Sequence, residues 1–189
     1  ISIFIFQKNV EAKSYSVEDM DIQATINDNG SVSIEQKIEF KFNGDYNGVY
    51  INIPYNLKDT ELDEVVKGNR IDDDLYNGNS VTVEGVSVVT PDIKREFKEV
   101  TSARNGSSDV YSLSRQNGMY QIKVYSPTSN SSKTFKINYT INDLCVKHND
   151  VGELYYNFIG GQWEVPIKDL NIDVTSISNT SAFNANRGS

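Results

Sequence analysis

A single histidine limits the chemistry available to this chain. A serine or cysteine triad needs an imidazole between nucleophile and acid, and only His148 could supply one. It sits in the turn-like run Lys147-His148-Asn149-Asp150, and the chain has no Gly-x-Ser-x-Gly elbow. One His also excludes a multi-His metal centre, and one Cys, Cys145, excludes thiolate zinc and any intrachain disulfide. Cys145 reads as a small core residue. Glu153 and Glu164 flank an aromatic run and are the best pair for acid–base work on a glycosidic bond. Acids are plentiful here, and nothing in the pattern singles these two out. Asp72, Asp74, Asn77 and Asn79 form an oxygen-rich loop of the kind that binds calcium. Its spacing lacks the EF-hand glycine and the terminal Glu, so it reads as a solvated acidic loop. No residue is therefore assigned a catalytic, cofactor-binding or metal-binding role, and the expectation is a non-enzyme without cofactors.

Aromatic residues remain, with 11 Tyr, 8 Phe and one Trp in 189 residues. Exposed Tyr rings can stack on sugars, and buried ones fill strands. The densest stretch is Asp150 to Ile167, holding Leu154-Tyr155-Tyr156-Asn157-Phe158, Gly160-Gly161 and Trp163. It reads as a strand, a glycine corner and a second strand. Trp163 and Tyr155 are expected to pack near that corner and brace two sheets.

The elements that must hold these residues are strands. Val32, Ile34, Ile38, Phe40 and Phe42 alternate with Ser33, Glu35, Lys37, Glu39 and Lys41, with Gln36 as one polar interruption on the apolar side. A period of two marks a strand buried on one face. Met20, Ile22, Ala24 and Ile26 alternate likewise, and Asn27-Asp28-Asn29-Gly30 joins the two as a tight hairpin. A second hairpin spans 110–124 and turns at Asn117-Gly118; Phe135, Ile137, Tyr139 and Ile141 make another strand. Residues 43–48 and 126–132 read as turn and loop, 57–66 as ambiguous, and 96–101 as a short strand. Nine or ten strands with frequent turns predict an all-β chain, an antiparallel β-sandwich, immunoglobulin-like or related.

With 26 acidic against 18 basic residues the formal charge is -8. That excludes the basic stripe a nucleic-acid partner rewards and disfavours an anionic lipid surface. Residues 1–12 begin with Ile1-Ser2-Ile3-Phe4-Ile5-Phe6 and end in Val10-Glu11-Ala12, the pattern of a signal-peptide remnant. The domain is expected over 13–175. A Ser- and Asn-rich linker-like tail follows over 176–189.

Three segments together resemble a known pattern. They are Asn27 to Glu35 with Ile38 to Phe42; Gly48-Val49-Tyr50-Ile51-Asn52-Ile53-Pro54; and Phe135 to Ile141 followed by Glu153-Leu154-Tyr155-Tyr156-Asn157, Gly160, Trp163 and Val165-Pro166-Ile167. In this order, over about residues 14–174, the chain resembles the N-terminal domain of the YciQ-like predicted membrane proteins (domain of unknown function 2207). Two positions depart from that family: Ile51 stands where Arg is frequent, and Tyr156 where Trp is frequent. The resemblance implies a bacterial protein with a signal peptide, this domain outside the cytoplasmic membrane, and transmembrane segments beyond this chain. It offers no catalytic residues to transfer. The expected function is extracytoplasmic interaction or sensing, with an unknown protein or envelope ligand as partner. A carbohydrate-binding or adhesin-like module is the alternative, and an envelope-acting hydrolase the third reading.

Overall fold

The computed structural model describes residues 13–56, 78–90, 93–116, 118–147, 149–159 and 163–177. The described residues form strands and turns without a helix. In chain order the strands are β1 (Ser14–Ile26), β2 (Val32–Asn43), β3 (Asp45–Pro54), β4 (Ser80–Val89), β5 (Lys94–Glu96), β6 (Lys98–Glu99), β7 (Val110–Gln116), β8 (Met119–Ser129), β9 (Ser132–Asn142), β10 (Val146–Lys147), β11 (Gly152–Glu153) and β12 (Leu170–Ser176). A large sheet has the order β12-β1-β2-β9-β4-β5, a small sheet β3-β8-β7-β6, and β10 pairs with β11.

The all-β sandwich expected from the alternation is the fold observed. The strands beyond the expected nine or ten are ladders of two or three residues. Pairing is mostly antiparallel, but β12 joins β1 in parallel and β6 joins β7 in parallel. The apolar residues of β1, β2, β9 and β4 face those of β3, β8 and β7 across one core, in which Ile22, Ile38, Ile51, Ile122, Phe135 and Ile137 are fully enclosed. Each such side chain contributes roughly 1.5–3 kcal/mol through burial.

The polar interruption at Gln36 lies inside this core. Its amide nitrogen donates to the Met20 sulfur at 3.5 Å, and its carbonyl accepts the Tyr139 hydroxyl at 3.4 Å. Burial raises the pKa of the Tyr139 phenol well above its usual value, so it stays a neutral donor.

Turn chemistry differs from expectation in three places. The β1–β2 connection has one left-handed residue, Gly30 (φ 80°), and closes with the Asn27 N–H donating to Ser31 at 2.9 Å. It is wider than a two-residue turn because Asn29 and Asn27 side chains bond Ser31 and Ser33 within the loop. Residues 45–48 belong to β3, with a bulge between Tyr46 and Gly48. A Cβ at Gly48 (φ 152°) would stand 1.8 Å from the Val124 carbonyl oxygen, so only glycine lets β3 bend there. Residues 126–129 continue β8, because Lys133 reaches across the hairpin and donates to the Ser126 hydroxyl and the Pro127 carbonyl, both at 2.8 Å.

Candidate functional site

The aromatic run is not a pair of strands. Only Gly152 and Glu153 pair, opposite Lys147 and Val146; residues 154–159 and 163–166 run without strand pairing, and Ile167 makes one bridge to Val17. Their hydrogen bonds go to side chains and distant carbonyls instead of a ladder. The Trp163 indole N–H donates to the Ile159 carbonyl at 2.8 Å, and the ring lies 6.2 Å from Phe40 of β2. The Tyr156 hydroxyl donates to the Pro54 carbonyl at the end of β3, at 2.9 Å, and its ring meets Phe158 edge-on. Trp163 thus reaches the large sheet and Tyr156 the small one. The bracing role expected of Tyr155 falls to Tyr156, the residue packed against the core. Gly160 and Gly161 lie outside the described residues. This segment is a structural tie between the sheets, from Pro54 at the end of β3 to Phe40 of β2.

The outer face of the small sheet has a different character. Strand register sets Tyr50, Lys123 and Ser112 in one row and Asn52, Gln121 and Ser114 in the next. These six side chains carry one charge in a chain of formal charge -8. Tyr50 is 56% exposed. The Lys123 ammonium stands 5.4 Å from the Tyr50 ring centre and 4.9 Å from that of Tyr125. Bonding to the Tyr50 hydroxyl raises the Lys123 pKa above its ordinary value. Gln121 donates to the Asn52 side-chain carbonyl at 3.0 Å. Tyr125 points outward on β8 yet is buried, held by Ser112 and the Ala103 backbone. Such a surface offers a flat ring beside neutral donors and acceptors. That suits a polar, uncharged ligand.

The other candidates fall as follows. His148, Asp72, Asp74 and Asn77 lie outside the described residues. Asn79 is described, and its amide donates to the Asp143 carboxylate while its backbone N–H donates to the Asn142 carbonyl. Glu153 sits on the β10–β11 ladder, and Glu164 accepts from the Tyr15 hydroxyl at 3.5 Å beside β1. Cys145 is half-buried against the core, and burial pushes its thiol up to about 11. Among the described residues no group of three or more His, Cys, Asp or Glu side chains could hold a metal ion. Among the described residues, Lys133 and Ser126 form an arrangement resembling a serine–lysine dyad that periodicity did not flag. Ser126 is 1% exposed, and the ammonium also bonds Pro127, so the pair fastens the β8–β9 hairpin.

Comparison with known families gives one decisive match. The model described as "Predicted membrane protein (DUF2207) N-terminal domain" fits residues 16–185. The chain belongs to the DUF2207 family. This is a predicted membrane protein domain of unknown function. No helix among the described residues of the DUF2207 domain is long and apolar enough to cross a membrane. No curated protein matches the chain. Among solved structures it is similar to a candidate protease from Parabacteroides distasonis ATCC 8503, at 9% identity and a TM-score of 0.32. That match covers 67% of this chain and 22% of the other, and bears on neither fold nor activity here.

The motif positions now have physical reasons. Gly48 makes the β3 bulge, and Pro54 ends β3 where Tyr156 bonds its carbonyl. Tyr156 keeps a polar tip where the resemblance places a Trp, and Ile51 is a core residue of β3.

Proposed function

We propose that the DUF2207 domain is a non-catalytic, extracytoplasmic interaction or sensing module of a bacterial protein held in the membrane by segments outside this chain. The observation that supports it best is the mostly neutral outer face of the small sheet, with Tyr50 exposed beside Asn52, Gln121 and the single charge of Lys123. A surface whose only role was solubility would be expected to carry more charged residues, as the outer face of the large sheet does with Glu35, Lys37 and Lys136.

Location is tested in intact cells expressing the full-length protein with Thr101→Cys, an exposed position. A membrane-impermeant maleimide should label that cysteine without lysis. The native Cys145 should give little background, since burial raises its thiol to about 11 and keeps it protonated. Labelling that requires lysis would refute the extracytoplasmic assignment.

A carbohydrate ligand is the second reading, favoured by Tyr50 next to the Asn52–Gln121 amide pair. Aromatic faces stack on sugar C–H surfaces while amides bond hydroxyls. Binding on a glycan array, lost in Tyr50→Ala and Gln121→Ala, would establish it; an array without hits would remove it.

A further inference from the structure

Open sheet edges invite pairing with other chains, and folds blunt them with brevity, charge, proline or bulges. The four edges here are treated unequally. β5 is three exposed charged residues, Lys94, Arg95 and Glu96, and β6 is only Lys98 and Glu99. β3 is longer but carries the Gly48 bulge and ends in Pro54. β12 has neither proline nor bulge, and its one charge is Asp173. It runs seven residues, Leu-Asn-Ile-Asp-Val-Thr-Ser, without Pro, Gly, Lys or Arg. β1 lies on one side of it, and among the described residues no strand lies on the other.

Its apolar side is only partly covered, with Ile172 packed against the edge of the core. Leu170, Ile172 and Val174 pair with Met20, Ile22 and Ala24, so they continue the inner face of the large sheet. Met20 and Ile22 are fully buried, whereas Leu170 is 43% and Val174 40% exposed. β12 is the outermost strand of the large sheet, and its apolar side is left incompletely covered.

The geometry points to a second copy of this chain as the occupant of that edge. β12 pairs antiparallel with β12 of the second copy about a two-fold axis at Ile172, joining two six-stranded sheets into one. This register sets Leu170 opposite Val174 of the second copy, Asn171 opposite Asp173, and Ile172 opposite itself. Apolar residues meet on the inner face, and an amide meets a carboxylate on the outer one. Neighbouring registers are worse. Moving the axis to Asp173 opposes that carboxylate to its own copy, and moving it to Asn171 opposes Asp169 to Asp173. One half-step register sets Leu170 against Asp173 and the other sets Ile172 against Asp173. Like charges directly opposed destabilise a strand pair, so sequence selects the Ile172-centred pairing. The outer face of the small sheet takes no part, so this dimer and the proposed interaction face stand or fall separately.

The test uses the 189-residue chain with Cys145→Ala. Directly opposed residues in an antiparallel pair have Cα atoms about 4.5–5.5 Å apart, within disulfide reach. Ile172→Cys should therefore form a disulfide-linked dimer under mild oxidation. Thr175→Cys, which faces Asp169 of the second copy, should give at least about tenfold less, since its own copy lies several residues away. In sedimentation, the chain without added cysteine should show a dimer fraction that rises with concentration and falls in Val174→Lys. Equal cross-linking at both positions, or no Ile172→Cys dimer together with a monomer at every concentration, would overturn the pairing. Either result would leave the β12 edge to a strand of another kind.

Discussion

The two outer faces of the sandwich are made of different chemistry. On the large sheet Lys37 bonds Glu35 at 3.2 Å and lies 3.9 Å from Asp21, and Lys136 pairs with the same Glu35. At the edge Lys168 bonds Glu18 at 2.7 Å. The small sheet shows Tyr50, Asn52, Gln121, Ser112 and Ser114 around Lys123. Both faces keep an alternating strand soluble, so burial periodicity does not separate them. The kind of polar residue does. Charges that bridge strands serve the sheet's own pairing and water. An exposed ring among neutral side chains offers a partner a flat face that costs less to desolvate than charges do.

Substitutions break this contrast to different degrees. The largest effect should come from Gly48→Val, which removes the bulge that shapes the small sheet. With Val124 O 1.8 Å from the new Cβ, the strand must shift, and denaturant titration should show a loss above about 4 kcal/mol. Trp163→Ala cuts the tie that joins the aromatic segment to the large sheet. The ring is half-buried and gives up one hydrogen bond, so the expected loss is about 3 kcal/mol.

The large sheet's face is probed by pH. Burial pushes the Glu35 carboxyl up, but Lys136 and Lys37 outweigh it and hold the pKa below the ordinary carboxylate value. A depressed folded pKa gives stability that is present above the unfolded value and lost as pH falls through the folded one. Lys136→Met should therefore flatten the drop in melting temperature from neutral pH to about pH 3 relative to the parent chain. The smallest effect on folding should be Tyr50→Ala, within about 0.5 kcal/mol, because the ring is mostly in water. Its effect should appear in binding.

Much of the sandwich is legible in period-two alternation. β2 and β9 read directly as strands because one face is apolar and the other polar or charged. Gln36 reads as an interruption, and the structure explains it by Tyr139, which is 103 positions away and invisible to local pattern. Two features exceed what periodicity carries. Tyr156 and Trp163 stand among strand-like residues, yet their partners are Pro54 and Phe40, reached through tertiary packing. The parallel pairing of β12 with β1 depends on a crossover over most of the chain, and no turn signal marks it. The mostly neutral face of the small sheet was hidden in the same way. Tyr50, Gln121 and Ser114 lie on three strands, and only the register brings them together.

The central claim is that the small sheet's outer face meets a partner while the large sheet's does not. Site-specific photocross-linking tests it directly, with a benzophenone amino acid at Tyr50 or at Glu39 of the full-length protein in living cells. A discrete adduct from position 50 and none from position 39 is the predicted result. No adduct from position 50, or the same adduct from both, would contradict the account.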